Sequence, residues 1–438
     1  MTELTTAVPS RAPGPRGLPI LGSLLGAWRD PISLFTEAQA RFGDIVRFQF
    51  GPLDYYLVSD PDAIRHVLVD NAKAYTKSRS YMGVKKLLGD GLLTAEGDVW
   101  RRQRKLAQPA FHRDRLTGFA KQMTNATRDM LDRWREEGDR AIDVHEEMVH
   151  LTFRIVGLTL FSSDVHGDAA EVGRAMNVAV EWANAYAEAV VPIPPSVPTP
   201  ANVRFNRAKK TLDDVVHRII ADRRKSGPKA DLLSMLMEAG EMSDEQLRDE
   251  VITMILAGHE TTANLLTWTL LLLSKHPDVE RRLHEEAKNG DDPRTMDLTK
   301  RVIEESLRLY PPAWVFERQA TAADVIGGFP IEKRAVVGIA PYVLHRNPRY
   351  WDNPEGFDPD RFLPSRSEGR SKYVYLPFGG GARTCIGNHF AMMEAQILLA
   401  MILREFRLDL DPSHPIVMEP SLTLRPRHGV RVWRRRRA

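Results

Sequence analysis

Through most of the chain apolar residues recur at intervals of three and four, the spacing of one helix face. Strand-like alternation is confined to short stretches near the two ends. Residues 31–42 are expected to form a helix. Residues 45–50 and 55–58 flank Gly51-Pro52-Leu53-Asp54 and predict a β-hairpin. Asp60 is placed to cap a helix running to Val69. Residues 76–97 lack periodicity and are rich in glycine, which predicts a long loop. Helical periodicity resumes at Asp98 and persists to about Val190, with breaks near Arg113, Gly138 and Ser163. Pro192, Pro194, Pro195, Pro198 and Pro200 then predict a stiff extended connector, after which residues 203–225 are again helical. Ser243-Asp244-Glu245-Gln246 reads as a capping box, and the helix it opens meets no breaker before Pro277. Such a helix of about 30 residues spans roughly 50 Å at about 1.5 Å per residue. Shorter helices are expected at 278–288, 297–309 and 388–405. Short strands fill 316–340, an irregular segment 345–364, and a last hairpin 408–433. The expected fold class is mainly α with small β-sheets.

Composition narrows the function. The 438 residues are 43% hydrophobic and 27% charged, enough for a large core. Lys plus Arg number 61 against 58 for Asp plus Glu, a net charge of +3 that does not ask for nucleic acid. The basic run Arg434 to Arg437 reads as a solvated tail. A single cysteine excludes an intrachain disulfide and a cysteine-built zinc site, and fits a reducing, cytoplasmic setting. Residues 1–12 are polar, with neither a secretory signal nor a membrane anchor, and are expected to be a disordered tail ahead of one domain at 13–438. Residues 251–273 are long and apolar enough to span a bilayer. Gly258, His259, Glu260, Thr261, Thr262 and Asn264 at their middle instead predict a buried helix of a soluble protein.

Five short patterns bear on chemistry. The lone Cys385 sits among glycines in the stretch from Phe378 to Gly387, where backbone without a Cβ can approach something flat or bulky. On residues alone its thiolate is a nucleophile, a metal ligand or an inert core residue. Ala257 to Thr262 puts small and polar residues inside an apolar rod, a place for a ligand or a close helix crossing. Glu305 and Arg308 share a helix face. Pro359-Asp360-Arg361-Phe362 follows, and Trp100 and Arg104 share a face at i,i+4. Arginines and an indole donor suit the carboxylates of a mostly apolar cofactor.

Together, in this order, the patterns resemble the cytochrome P450 family of heme-thiolate monooxygenases, and the resemblance runs from Pro13 onward. Phe378 to Gly387 is similar to the family's Phe-Gly-x-Gly-x-Arg-x-Cys-x-Gly signature at every fixed position. The resemblance implies heme b, with Cys385 as the proximal iron ligand and Phe378 and Gly387 around it. It implies that Trp100, Arg104, Arg318 and Arg383 contact the heme carboxylates and that Ala257 lies on the oxygen side. Glu260 and Thr261 are implied as the acid and alcohol that supply protons. Glu305, Arg308 and Arg361 are implied to be structural. The substrate pocket would be apolar, with Tyr81, Met82, Leu87, Leu88, Ala257, Ala313, Trp314, Val315, Leu422 and Thr423 in its walls. The implied reaction inserts one oxygen atom from O2 into a hydrophobic small molecule, by hydroxylation or epoxidation of a fatty acid, terpenoid, steroid or similar compound. Electrons are expected from a ferredoxin or flavodoxin with an NAD(P)H-dependent reductase, docking a monomer at Arg101, Arg102 and Lys105 with help from the basic tail. The alternatives are a peroxide-driven peroxygenase and a non-catalytic heme-binding protein.

Overall fold

The hairpin expected near the N-terminus forms because Gly51 takes a left-handed φ of +60° and folds Leu53–Val58 back antiparallel on Ile45–Phe50. It belongs to a computed structural model that describes residues 11–189, 191–240, 242–290 and 292–437. The chain divides into two compact units. The first comprises Met1–Arg79, Ala313–Gly356 and Ser367–Cys385, and the second Ser80–Pro312, Phe357–Arg366 and Ile386–Ala438.

The first unit is built on a five-stranded sheet. Its order is Ile45–Phe50, Leu53–Val58, Val336–Ile339, Phe316–Ala320, Tyr75–Lys77. Leu53–Val58 and Val336–Ile339 pair in parallel, and the remaining neighbours are antiparallel. Tyr56, Val58, Val337 and Ile339 are buried in a core with Ile64, Val67 and Leu344. Ala12, expected within the tail, is buried in the same core, while residues 1–10 lie outside the described ones. Asp60 accepts from Asp62 N and Ala63 N and opens the helix Pro61–Arg65, which loosens into a wider turn at His66–Asp70.

The second unit is helical. Gly97–Ala107, Arg113–Glu137, Val144–Leu160, Ala169–Glu188 and Pro200–Ser226 lead to the long helix Asp244–Lys275. Pro277–Asn289, Asp297–Leu309 and Asn388–Glu405 follow. The capping box is present: Ser243 Oγ accepts from Gln246 N at 3.2 Å, and Gln246 Oε1 accepts from Ser243 N at 3.2 Å. Among the described residues no helix is long and apolar enough to cross a membrane.

Three expectations need correction. Residues 76–97 are not one loop, because Tyr75–Lys77 is a strand and Tyr81–Leu88 a helix. Gly83 is inside that helix because a Cβ there would fall 1.9 Å from Ala183 O, so packing on Ala169–Glu188 selects glycine. The last hairpin is wider than expected. Arg431–Arg436 is the middle strand of three, between Arg140–Asp143 and Phe406–Leu410, with a small separate hairpin of Met418–Pro420 and Leu424–Pro426. The basic run is therefore strand through Arg436, with Arg434 turned inward while Arg435 and Arg436 stay exposed. Arg434 is fully buried, bonded to Glu137 and Gly138 O, with its guanidinium 5.2 Å from the Trp134 ring centre.

Candidate functional site

In the first unit the segment around Cys385 is closed into a hoop. Cys385 N donates to Phe378 O at 2.9 Å, and Thr384 Oγ1 donates to Gly381 O at 2.8 Å. Gly379 and Gly381 both take left-handed φ, +68° and +66°. At Gly381 a Cβ would also lie 2.1 Å from Leu68 O, so this glycine is required twice. The hoop leaves the Cys385 side chain exposed and Phe378 and Arg383 half-buried. Arg318, on the strand Phe316–Ala320, donates to Glu317 O at 2.9 Å, its guanidinium 5.7 Å from the Phe316 ring centre. Trp314 is buried, its ring centre 6.3 Å from that of Phe35, with Ala313 and Val315 half-buried beside it.

In the second unit the long helix is buried at residues 247–256 and again at 262–273. Between these runs Ala257 is exposed and Gly258, Glu260 and Thr261 are half-exposed. A small residue left accessible at the middle of the unit's most buried helix is where a flat group can lie against backbone. Thr261 Oγ1 donates to Ala257 O at 2.7 Å, the back-bonding expected of a mid-helix threonine. Glu260 Oε1 accepts from Thr423 Oγ1 at 2.6 Å. Trp100 and Arg104 lie on the helix Gly97–Ala107, where they line an open cleft with Arg101, Lys105, Gln108 and His112. Arg102 is exposed. Gly387 is at the N-terminal end of Asn388–Glu405, next to Phe111.

The candidate pocket residues of the second unit do not all share a face. On Tyr81–Leu88, Leu87 and Leu88 are buried with Val84, whereas Met82 is exposed and Tyr81 half-buried. Thr423 is buried and Leu422 half-buried.

The acidic and basic residues expected to be structural do meet. Glu305 and Arg308 are both fully buried, with Arg308 Nε and Nη2 each 2.7 Å from a carboxylate oxygen. Arg361 Nε reaches Glu305 Oε1 at 3.3 Å, and Asp358 N donates to the same oxygen at 2.9 Å. A charged cluster this deep persists because each oxygen is satisfied. Sequence reasoning missed His145, whose ring faces Asn264 from 119 positions away, and Glu250, which is buried although it closes the charged run Arg248-Asp249-Glu250. No local signal marks either one.

Each unit offers groups that suit a heme. The first unit offers one accessible thiol on a glycine hoop, with Arg383 and Arg318 in the same unit. The second offers an accessible small-residue window, with an indole and arginines on another helix.

A family model described as Cytochrome P450 matches residues 12–431. The chain is 39% identical over 430 residues to cyclooctatin synthase of Streptomyces melanosporofaciens, across 94% of this chain and 92% of that one. It is 34% identical over 412 residues to cyclooctat-9-en-7-ol 5-monooxygenase of the same organism, across 90% and 88%. To pentalenene oxygenase of Streptomyces avermitilis it is 33% identical over 425 residues, across 93% of each.

Proposed function

Because the chain belongs to the cytochrome P450 family, we propose that Cys385 is its proximal heme ligand and that its substrate is a polycyclic terpenoid. Membership makes it a heme b monooxygenase that takes O2, a hydrophobic substrate and electrons from a redox partner. When bound, heme supplies oxygen activation, favoured by electron density from a thiolate ligand.

The observation that carries the ligand assignment is the hoop, which closes through the Cys385 N–H and leaves the thiol accessible. Backbone N–H groups of such a hoop would tune a metal ligand from outside its coordination shell. Trp100 would donate through its indole N–H, and Arg104, Arg318 and Arg383 would neutralise the heme carboxylates by charge-assisted hydrogen bonds. Arg308, Glu305 and Arg361 hold the fold and touch no reacting atom. Glu260 would hold a proton and Thr261 Oγ1 would pass it on, each exposed enough on the long helix to do so. That acid and alcohol, with Glu260 held by Thr423, favour an O2-driven enzyme over a peroxide-driven one.

The terpenoid reading rests on relatives named for cyclooctat-9-en-7-ol and pentalenene. Among the pocket candidates of the second unit, Leu87, Leu88 and Leu422 offer apolar wall and no charge. The partner would be a ferredoxin or flavodoxin with its reductase, attracted to Arg101, Arg102 and Lys105. Arg434 takes no part, being buried. We place all of residues 13–438 in one catalytic, monomeric, cytoplasmic domain.

The test is the spectrum of the reduced protein with carbon monoxide. A strongly red-shifted Soret band is expected, lost in Cys385→Ala with heme still bound. Terpenoid turnover driven by ferredoxin, reductase and NADPH is expected to exceed that driven by peroxide. The reverse ranking would replace the monooxygenase reading with a peroxygenase one.

A further inference from the structure

Glu260 is not alone on its helix. One turn on, Asn264 is fully buried between Ala263 and Leu265, where an unpaired amide is costly. Its partners explain it. The imidazole Nε2 of His145, at the start of Val144–Leu160, is 3.0 Å from Asn264 Oδ1. Asn264 Nδ2 donates to Thr423 Oγ1 at 3.0 Å, and Thr423 Oγ1 donates to Glu260 Oε1 at 2.6 Å. Three segments far apart in sequence thus meet in one chain of hydrogen bonds.

Its direction is fixed at both ends. With the amide oxygen turned to the imidazole, His145 is the donor and the amide hydrogens face Thr423. Thr423 accepts there, so its one hydrogen goes to Glu260. Burial pushes His145 below the ordinary histidine value, opposed first by its bond to Asn264 and then by the charges of Asp143 and Glu260, while Arg425 acts in the same sense as burial. Asn264 and Thr423, the two middle members, are buried, where bonds in a chain strengthen one another, while His145 and Glu260 at its ends are half-exposed.

We propose that His145, Asn264 and Thr423 form a positioning arm for Glu260, setting the orientation in which its carboxyl group takes and releases protons. The inference rests on the reading of Glu260 as proton donor. None of the three arm residues need touch the reacting atoms.

The experiment uses holoenzyme with ferredoxin, reductase, NADPH and the terpenoid that gives the largest spin shift, and measures hydrogen peroxide released per product formed. Thr423→Val, which removes the donor at constant shape, is expected to raise that ratio about tenfold, the effect of one lost hydrogen bond on a barrier. Thr423→Ser restores it. Asn264→Asp, whose oxygens draw the Thr423 hydrogen away from Glu260, gives a similar rise, and the double variant Asn264→Asp/Thr423→Val is no worse than either alone. Heme content stays within twofold in all of them. Wild-type coupling in Thr423→Val, a serine that fails like valine, or fully additive effects would overturn the arm. Full coupling in Glu260→Gln overturns instead the role of Glu260; an uncoupled Glu260→Gln beside a coupled Thr423→Val overturns only the arm.

Discussion

Glu250 lies two turns before the accessible window of the long helix and is 1% exposed. Its Oε2 accepts from Leu92 N at 3.2 Å, and its Oε1 has no partner among the described residues. Burial, helped by the charge of Asp249 and opposed by the Leu92 N–H, lifts its carboxyl from 4.5 to about 7. Below pH 4.5 the folded and unfolded chains both hold the proton. Between pH 4.5 and about 7 only the folded chain does, so stability falls as pH rises; above 7 the penalty is complete. At 1.36 kcal/mol per unit the full penalty is about 3 kcal/mol. Glu250→Gln keeps an acceptor for Leu92 and removes the titration. The variant is therefore expected to gain about 2.5 kcal/mol on wild type between pH 5 and pH 8. At roughly 2.1 cal/mol/K per residue, this corresponds to a widening in Tm of about 3 °C. Melting curves of both holoproteins at pH 5, 6, 7 and 8 measure it. A Tm difference that is flat with pH, or that shrinks toward pH 8, would refute the reasoning.

Three further outcomes follow from geometry on the page. Gly381→Ala should abolish the carbon monoxide Soret shift, since its Cβ meets the Leu68 carbonyl, whereas Gly379→Ala, at nearly the same φ but in open space, should cost only about 1 kcal/mol and keep the band. Arg308→Met, which strips Glu305 of its bidentate partner, should destabilise by about 3–5 kcal/mol, read as lost heme incorporation in expressed protein. Arg434→Met should lower Tm by at least about 2 °C, through Glu137 and the Gly138 carbonyl left without their donor. A solvated tail would show no change.

The elements that could be read from sequence carry their own punctuation. Ser243 and Gln246 mark one end of the long helix and Pro277 the other, and the helix observed is Asp244–Lys275. Pro31 and Asp60 mark helix starts in the same way. Local chemistry decides such boundaries, so no distant residue is needed to place them. Tyr81–Leu88 escaped because Gly83 weakens a helix locally and is there only to let the Ala183 carbonyl in. Arg140–Asp143 escaped because four residues become a strand only against a partner at the far end of the chain. At the site, the cysteine, its glycines and the Glu260–Thr261 pair follow a short recognisable pattern. The bonds that tie Glu260 to Asn264 through Thr423, and Asn264 to His145, span 159 and 119 positions or more, and no local pattern encodes them. Arg434 misled for a related reason: a run of arginines looks solvated until a carboxylate and two aromatic rings close around one of them.

The three-stranded sheet has a consequence for biogenesis. Its middle strand, Arg431–Arg436, is made last, while its neighbour Arg140–Asp143 is made early. From the pair Arg431↔Asp143, the ribosome must add 431 − 143 = 288 residues before that edge can be covered. At about 5–20 residues per second this is roughly 15–60 s during which Arg140–Asp143 presents an open edge. A chain that stopped short of Arg431–Arg436 would leave the edges of Arg140–Asp143 and Phe406–Leu410 open for good. Translation that stalls before Arg431 should therefore yield a sticky product.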